Sequence, residues 1–318
     1  MSPSGPDDTI VRRGPRALRL LRPLGRGGMG EVVVAARREG RFERTYAVKR
    51  LRPELRELAD AREAFVQEGQ LSALLYHPNV VRVYDAGEDD EGPFLVMELI
   101  EGPTLLEVIR ETGARDWDVP LAVALEILRD VALGLRAAHE ARDARGEPLQ
   151  ILHRDVSPNN VLVGLDGIAR LCDFGIARVL GGTSETTQLI LQGKRGYMAP
   201  EVLRFHPPEA ASDVFSLGVV MYELLVGEPL YRGADAPRRI LDEPPPDLRE
   251  HRPDAPDALV MLALEVLAKD PPRRPTAHAL VERLEALLAE ASLDAADALD
   301  EAPLTTRTYL GQLLRVSV

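Results

Sequence analysis

The apolar residues of this chain change period once along its length, and that single change limits what it can fold into. Up to about residue 100 the apolar segments are short, β-branched and separated by Gly-, Arg- or acid-rich turns. Leu18–Leu24, Glu31–Ala36 and Thr45–Leu51 read as a three-strand meander. Val80–Tyr84 and Phe94–Leu99 read as two further strands around the acidic turn Glu88–Gly92. Between the two sets, Glu54–Leu75 has helical spacing and ends before the turn signal His77-Pro78-Asn79. From Leu121 the period is helical: Leu121–Arg142, Ala210–Gly227, Ala258–Lys269 and Ala277–Ala291 all repeat at three to four residues. A small β-rich unit with one main helix therefore precedes a larger, mainly α-helical one, an α+β arrangement. The Ala/Asp-rich stretch Leu293–Pro303 reads as a linker, and Leu304–Val318 as either a docked helix or a loose tail.

Composition narrows the class. The 318 residues are 45% hydrophobic and 28% charged, as in ordinary globular proteins. The net charge of −12 argues against a general nucleic-acid binder. One cysteine, Cys172, allows neither an internal disulfide nor a Cys-based zinc site. The polar start of the chain lacks an apolar signal core, and no apolar run reaches 18 residues, so neither secretion nor a membrane span is expected and the expected location is cytoplasmic. Only Lys49, Lys194 and Lys269 among the 39 basic residues are lysine. Where arginine is the default cation, a retained lysine can mark a place that needs a compact ammonium.

Gly25-Arg26-Gly27-Gly28-Met29-Gly30 fits a G-x-G-x-x-G pattern, which alone is weak. The residues that follow, Glu31-Val32-Val33-Val34, are strand formers, so the turn joins two strands rather than opening a dinucleotide-binding helix. A strand–Gly–strand flap can lay backbone N–H groups over phosphates. Lys49, on the next strand, could reach back beneath it. A buried ammonium needs a carboxylate, and Glu68 on the following helix is the candidate.

Further along lie His153-Arg154-Asp155-Val156-Ser157-Pro158-Asn159-Asn160, then Cys172-Asp173-Phe174-Gly175, Tyr197-Met198-Ala199-Pro200-Glu201 and Ser212-Asp213-Val214-Phe215-Ser216-Leu217-Gly218. In this order and spacing the motifs resemble the eukaryotic-like (Hanks-type) serine/threonine protein kinases in their bacterial form, from about Leu18 to Leu288. The resemblance implies a two-lobed fold, with a flexible start (1–16), an N-lobe (17–100), a C-lobe (101–291) and an acidic linker with a short tail (292–318). It implies transfer of the ATP γ-phosphate to Ser/Thr hydroxyls of protein substrates, with Mg²⁺. It implies Asp155 at the substrate hydroxyl, Asn160 and Asp173 on the metal, and Lys49, fixed by Glu68, on the α/β-phosphates beneath Gly25, Gly27, Gly28 and Gly30. Val32, Ala47 and Leu162 would enclose adenine, Met97 would gate the pocket behind it, and Glu98 to Ile100 would offer it backbone hydrogen bonds. His153, Phe174 and Asp213 would set the Asp173 loop, and Glu201 would pair with Arg274. The activation segment, Asp173–Glu201, carries Thr183, Ser184, Thr186 and Thr187. A phosphate at Thr186 or Thr187 would pair with Arg154, and a transient dimer would serve phosphorylation in trans.

Two positions depart from the family pattern. Ser157 stands where a lysine usually neutralises the γ-phosphate, and Lys194 stands where a threonine usually braces the catalytic loop. The paired departures suggest that Lys194 supplies the charge Ser157 cannot. The other reading of the same departures is a pseudokinase scaffold with little transfer activity. A small-molecule phosphotransferase fits less well, because the long activation segment and the Ala199-Pro200-Glu201 platform suit a peptide.

Overall fold

A computed structural model describes residues 10–11, 17–26, 30–174, 195–297 and 304–315. These residues form two compact units, one containing residues up to 76 and 81–100, the other 77–80 and most of the chain from 101 onward.

The first unit is an antiparallel sheet with one helix. Its elements are β1 (Ile10–Val11), β2 (Leu18–Arg26), β3 (Gly30–Glu39), β4 (Phe42–Leu51), α1 (Ala59–Ser72), β5 (Val83–Asp89) and β6 (Gly92–Met97). The strand order is β1-β2-β3-β4-β6-β5. The three-valine run lies in β3 and pairs Val32 with Lys49, Val33 with Val48 and Val34 with Ala47. Period two then sorts the side chains. Leu18, Ala35, Tyr46, Val48, Phe94 and Val96 pack on one face as a buried cluster, and Val32, Ala47, Lys49 and Met97 share the other by register.

Two elements differ from the sequence expectation. The helix expected over Glu54–Leu75 is α1 alone. Pro53–Leu55 is a separate 3₁₀ turn that tucks Leu55 inward, and Leu58 is extended before the helix begins. The strand expected at Val80–Tyr84 begins at Val83 and runs through the acidic stretch to Asp89. Its residues alternate between half-buried and exposed, and an edge strand tolerates charges on the exposed positions.

The second unit is mainly helical: α2 (Leu105–Ala114), α3 (Leu121–His139), the hairpin β7 (Val161–Val163) and β8 (Ala169–Leu171), α4 (Pro200–Leu203), α5 (Ala210–Val226), α6 (Ala236–Asp242), α7 (Asp257–Val266), α8 (Ala277–Asp297) and α9 (Thr306–Arg315). Helix α5 is buried on every side from Ser212 to Leu225, which is why its sequence is apolar without a stripe. Val80, expected in a strand, makes a single parallel bridge to Leu171 of β8. Helix α2 was not anticipated, and α6 is short, as its Pro-rich surroundings suggest. Helix α8 continues six residues past Ala291 into the expected linker. The open question about residues 304–318 resolves as a docked helix over Thr306–Arg315: Tyr309, Leu310 and Leu313 join the core of this unit.

Candidate active site

The candidate site residues of the first unit lie on the sheet face that carries Lys49. Lys49 is 7% exposed, and its Nζ donates to Glu68 Oε1 at 2.6 Å, with Glu68 also 7% exposed. Strand β4 supplies the lysine and α1 the carboxylate. Burial would make either charge costly alone, so the pair holds both groups ionised and in a fixed place. Gly30 closes on this pair: a Cβ there would stand 2.9 Å from the Arg50 carbonyl and 3.2 Å from Lys49 Cε, so the approach requires glycine. Gly25, the penultimate residue of β2, pairs with Val32. Gly27 and Gly28 lie outside the described residues. Ala47 and Met97 are buried and paired across β4 and β6. The Glu98 N–H is spent on the Arg82 carbonyl at 2.8 Å. Glu98 can therefore offer a ligand only its carbonyl, a refinement of the expectation that this stretch supplies backbone groups in general.

The candidate catalytic residues of the second unit are set by the segment before β7 and the residues after β8. Asn160 Nδ2 donates at 2.8 Å to both the backbone carbonyl and Oδ2 of Asp155. Both bonds use the amide nitrogen, so Asn160 Oδ1 is the atom left to face a cation. His153 is fully buried, and its ring packs against Phe174 with centroids 4.6 Å apart. Its Nδ1 accepts from the Asp155 N–H at 3.3 Å, and its Nε2 lies 3.0 Å from the Cys172 carbonyl. An acceptor at Nδ1 and a carbonyl at Nε2 select the neutral tautomer protonated at Nε2. Burial lowers the His153 pKa and favours that same form, outweighing the nearby carboxylates. The ring thereby joins the Asp155 loop to the residue before Asp173. Asp213, from α5, accepts the backbone N–H groups of His153 and Arg154 at 2.8 and 2.7 Å. Arg154 and Asp173 both have left-handed backbone angles, φ +63° and +59°, which non-glycine residues adopt at a cost of about 1–2 kcal/mol.

Leu162, in β7, faces Arg170 of β8 and bridges to Thr104. Glu201 pairs with Arg274 through two bonds of 2.8 Å and takes a third from Ser212. Ser157 is 1% exposed, and among the described residues its Oγ has no hydrogen-bond partner. Lys194, Gly175 and the hydroxyls from Thr183 to Thr187 lie outside the described residues. Among the described residues no group of three or more His, Cys, Asp or Glu is placed to hold a metal. The donor set nevertheless fits Mg²⁺, which takes one or two protein oxygens and completes its shell with phosphate and water.

Sequence reasoning missed several supports. His139 Nε2 lies 2.9 Å from Asp213 Oδ2, giving the anchor a third partner. Asn79 donates to the Ala169 carbonyl at 3.0 Å and pins the turn after His77 to β8. The Tyr197 hydroxyl donates to Glu223 at 2.5 Å. Glu223 was visible as the one acid in the apolar run Leu217–Val226. The other two carry no pattern of their own.

Residues 18–284 match the family model described as the protein kinase domain. The chain is 36% identical over 277 residues to the tyrosine-protein kinase MasK of Myxococcus xanthus, covering 85% of this chain and 43% of that one. It is 37% identical over 263 residues to the serine/threonine-protein kinase PknB of Mycolicibacterium smegmatis, covering 79% and 39%. It thus spans about two-fifths of these relatives' length. Among solved structures, the Mycobacterium tuberculosis PknI kinase domain is similar with a TM-score of 0.64 at 26% identity, over 86% of this chain and 96% of that one. Among the described residues no helix is long and apolar enough to cross a membrane. With a matching family model over most of its length and the kinase motifs in place on the corresponding fold, the chain belongs to the protein kinase family.

Proposed function

We propose that the chain is an ATP- and Mg²⁺-dependent protein kinase that transfers the γ-phosphate of ATP to Ser/Thr hydroxyls of proteins and phosphorylates its own activation segment. The observation that carries this reading is the fixed pair Asp155–Asn160. Its carboxylate is oriented by an amide whose oxygen is left for a cation. Phosphoryl transfer asks for positioning and charge neutralisation, with little covalent chemistry from the protein. Asp155 Oδ1 would accept the proton of the substrate hydroxyl. Lys49, ionised against Glu68, would hold the α/β-phosphates, and Asn160 and Asp173 would hold Mg²⁺. When bound, Mg²⁺ neutralises charge on the phosphate oxygens. By the family resemblance Val32, Ala47 and Leu162 would enclose adenine, Met97 would gate the pocket behind it, and Glu98 and Ile100 would offer backbone groups. Lys194 would supply the charge that Ser157 lacks. The activity is assigned to the cytoplasm, where ATP is available.

Purified protein with labelled ATP, Mg²⁺ and a basic protein substrate tests the reading, with Asp155→Asn as control. Transfer above that control is expected, and phosphoamino-acid analysis should show phosphoserine or phosphothreonine. Transfer no greater than the control, despite a thermal shift with ATP, would replace the reading with a nucleotide-binding scaffold. Phosphotyrosine as the product would align the chain with the activity named for MasK.

A further inference from the structure

Helix α9 is held by two polar contacts at positions where an apolar docked helix would need none. Thr306 is 1% exposed, and both its backbone N–H and its Oγ1 donate to Glu126 Oε2 of α3 at 2.7 Å. Thr112 Oγ1 of α2 lies 2.6 Å from the Tyr309 hydroxyl and also bonds the Val108 carbonyl at 2.8 Å. A threonine hydroxyl has one proton, so Thr112 gives it to Val108 and Tyr309 is the donor to Thr112. The start of α9 also lies on the turn of the β7–β8 hairpin. A Cβ at Gly167, which has φ +86°, would stand 2.9 Å from Arg307 Cβ. That hairpin, residues 161–171, lies between Asn160 and Asp173, so α9 packs on the segment joining the two proposed metal ligands.

The sequence adds an independent observation. Of eleven threonines, three lie at 183–187 and three at 305–308, and the only two Thr-Thr pairs are Thr186-Thr187 and Thr305-Thr306. The tail thus repeats the hydroxyl pair of the segment expected to be autophosphorylated.

We propose that Thr306 is a phosphoacceptor for this chain's own kinase activity and that its phosphorylation releases α9 from α3. The proposal rests on the kinase reading above. In the step, Thr306 Oγ1 forms a bond to the γ-phosphorus, the bond from that phosphorus to the β,γ-bridging oxygen breaks, and ADP leaves with the electron pair. The hydroxyl proton passes to the catalytic carboxylate. Docked Thr306 is buried, so only an undocked tail is a substrate. Once modified, the hydroxyl that donated to Glu126 is a phosphate carrying close to two negative charges beside a carboxylate. The helix then cannot return to its seat. Thr305 and Thr308 are exposed and cap each other's backbone, so a phosphate on either has no comparable conflict with α3.

The test uses the full chain with ATP and Mg²⁺, phosphosite mapping by mass spectrometry, and hydrogen exchange over residues 306–315. Phosphate should accumulate on Thr306, and amides from Tyr309 to Leu313 in those molecules should exchange about tenfold faster or more. Thr306→Val should abolish the ATP-induced change while leaving transfer to a basic protein intact. In Glu126→Arg the sign should reverse, because the phosphate then meets a guanidinium and exchange slows on phosphorylation. A labelled activation segment with an unmodified Thr306 overturns the proposal and leaves the kinase reading standing. A phosphorylated Thr306 with unchanged exchange also overturns it. No transfer to any acceptor overturns the kinase reading, and this proposal falls with it.

Discussion

Lys49 and Glu68 show how one buried contact can be tested for stability and function separately. Removing either partner leaves a desolvated charge, so Lys49→Met or Glu68→Gln should each cost several kcal/mol, about 3–5 for a pair of this kind. The double variant Lys49→Met/Glu68→Leu buries no charge and should recover most of that loss in denaturant titration. Phosphoryl transfer should stay at least about 100-fold down in the two chains that lack Lys49, because the proposed phosphate contact needs the ammonium itself. Lys49 was legible because lysine is rare here and it lies one strand beyond the strand that follows a glycine-rich turn. Lys269 was not, and its expected place at a helix C-terminus is only approximate, since α7 ends at Val266. Its Nζ lies 5.6 Å from the Tyr231 ring centroid and 6.0 Å from that of Phe215. Burial, then the Arg274 and Arg204 charges, lowers its pKa to about 8. The folded value lies below the unfolded one, so the unfolded chain binds more protons between them and stability rises with pH through that window. Lys269→Met should therefore melt higher than wild type at pH 7, and the gap should narrow from about pH 8 upward and close only above about pH 10.5, where the unfolded lysine also loses its proton.

The elements show why some of the fold was readable and some was not. Strands β3 and β4 were legible because short runs of strand-forming residues lie beside turns, although both run several residues longer than those runs. Strand β5 was displaced because acids on an edge strand look like a turn when only composition is read. Helix α2 escaped notice, yet its start was written in the sequence. Thr104 Oγ1 accepts from the Glu107 N–H at 3.2 Å, and Glu107 Oε2 accepts from the Thr104 N–H at 2.8 Å. This is the S/T-x-x-E box that satisfies two otherwise orphaned donors at a helix start. Thr104→Ala should cost about 1 kcal/mol in chemical denaturation, with Thr104→Ser close to wild type. An unchanged midpoint in Thr104→Ala would mean that α2 is held by its buried residues Leu105, Val108, Ile109 and Thr112 alone.

At the scale of the molecule, a few buried polar anchors tie distant parts of the chain to α5. Asp213 holds the segment bearing Asp155. Glu201, at the start of α4, is locked to Arg274, 73 positions away, and to Ser212 at the start of α5. Order and spacing of motifs made these residues legible as a set. The hydrogen bonds that join them depend on three-dimensional closure and could not be read from spacing. The Glu201–Arg274 lock makes a prediction whose sign changes with one substitution. Burial pushes the Glu201 carboxyl toward protonation, but the Arg274 and Ser212 hydrogen bonds outweigh it and hold its pKa below the ordinary value. A folded pKa below the unfolded one gives stability that is full above the unfolded pKa, about 4.5, and is lost as pH falls through the folded one. In Arg274→Met the burial remains while the guanidinium and its two bonds are gone. The Glu201 pKa should then rise above its unfolded value, and the chain should lose stability as pH climbs from about 4.5 toward 7, the reverse of wild type. Restoring neutrality with Glu201→Gln in the Arg274→Met background should flatten that dependence and recover part of the roughly 3–5 kcal/mol lost at pH 7. Urea midpoints across pH 4 to 8 for the three chains would check the reversal. Parallel curves for wild type and Arg274→Met would show that the guanidinium does not set the ionisation of Glu201.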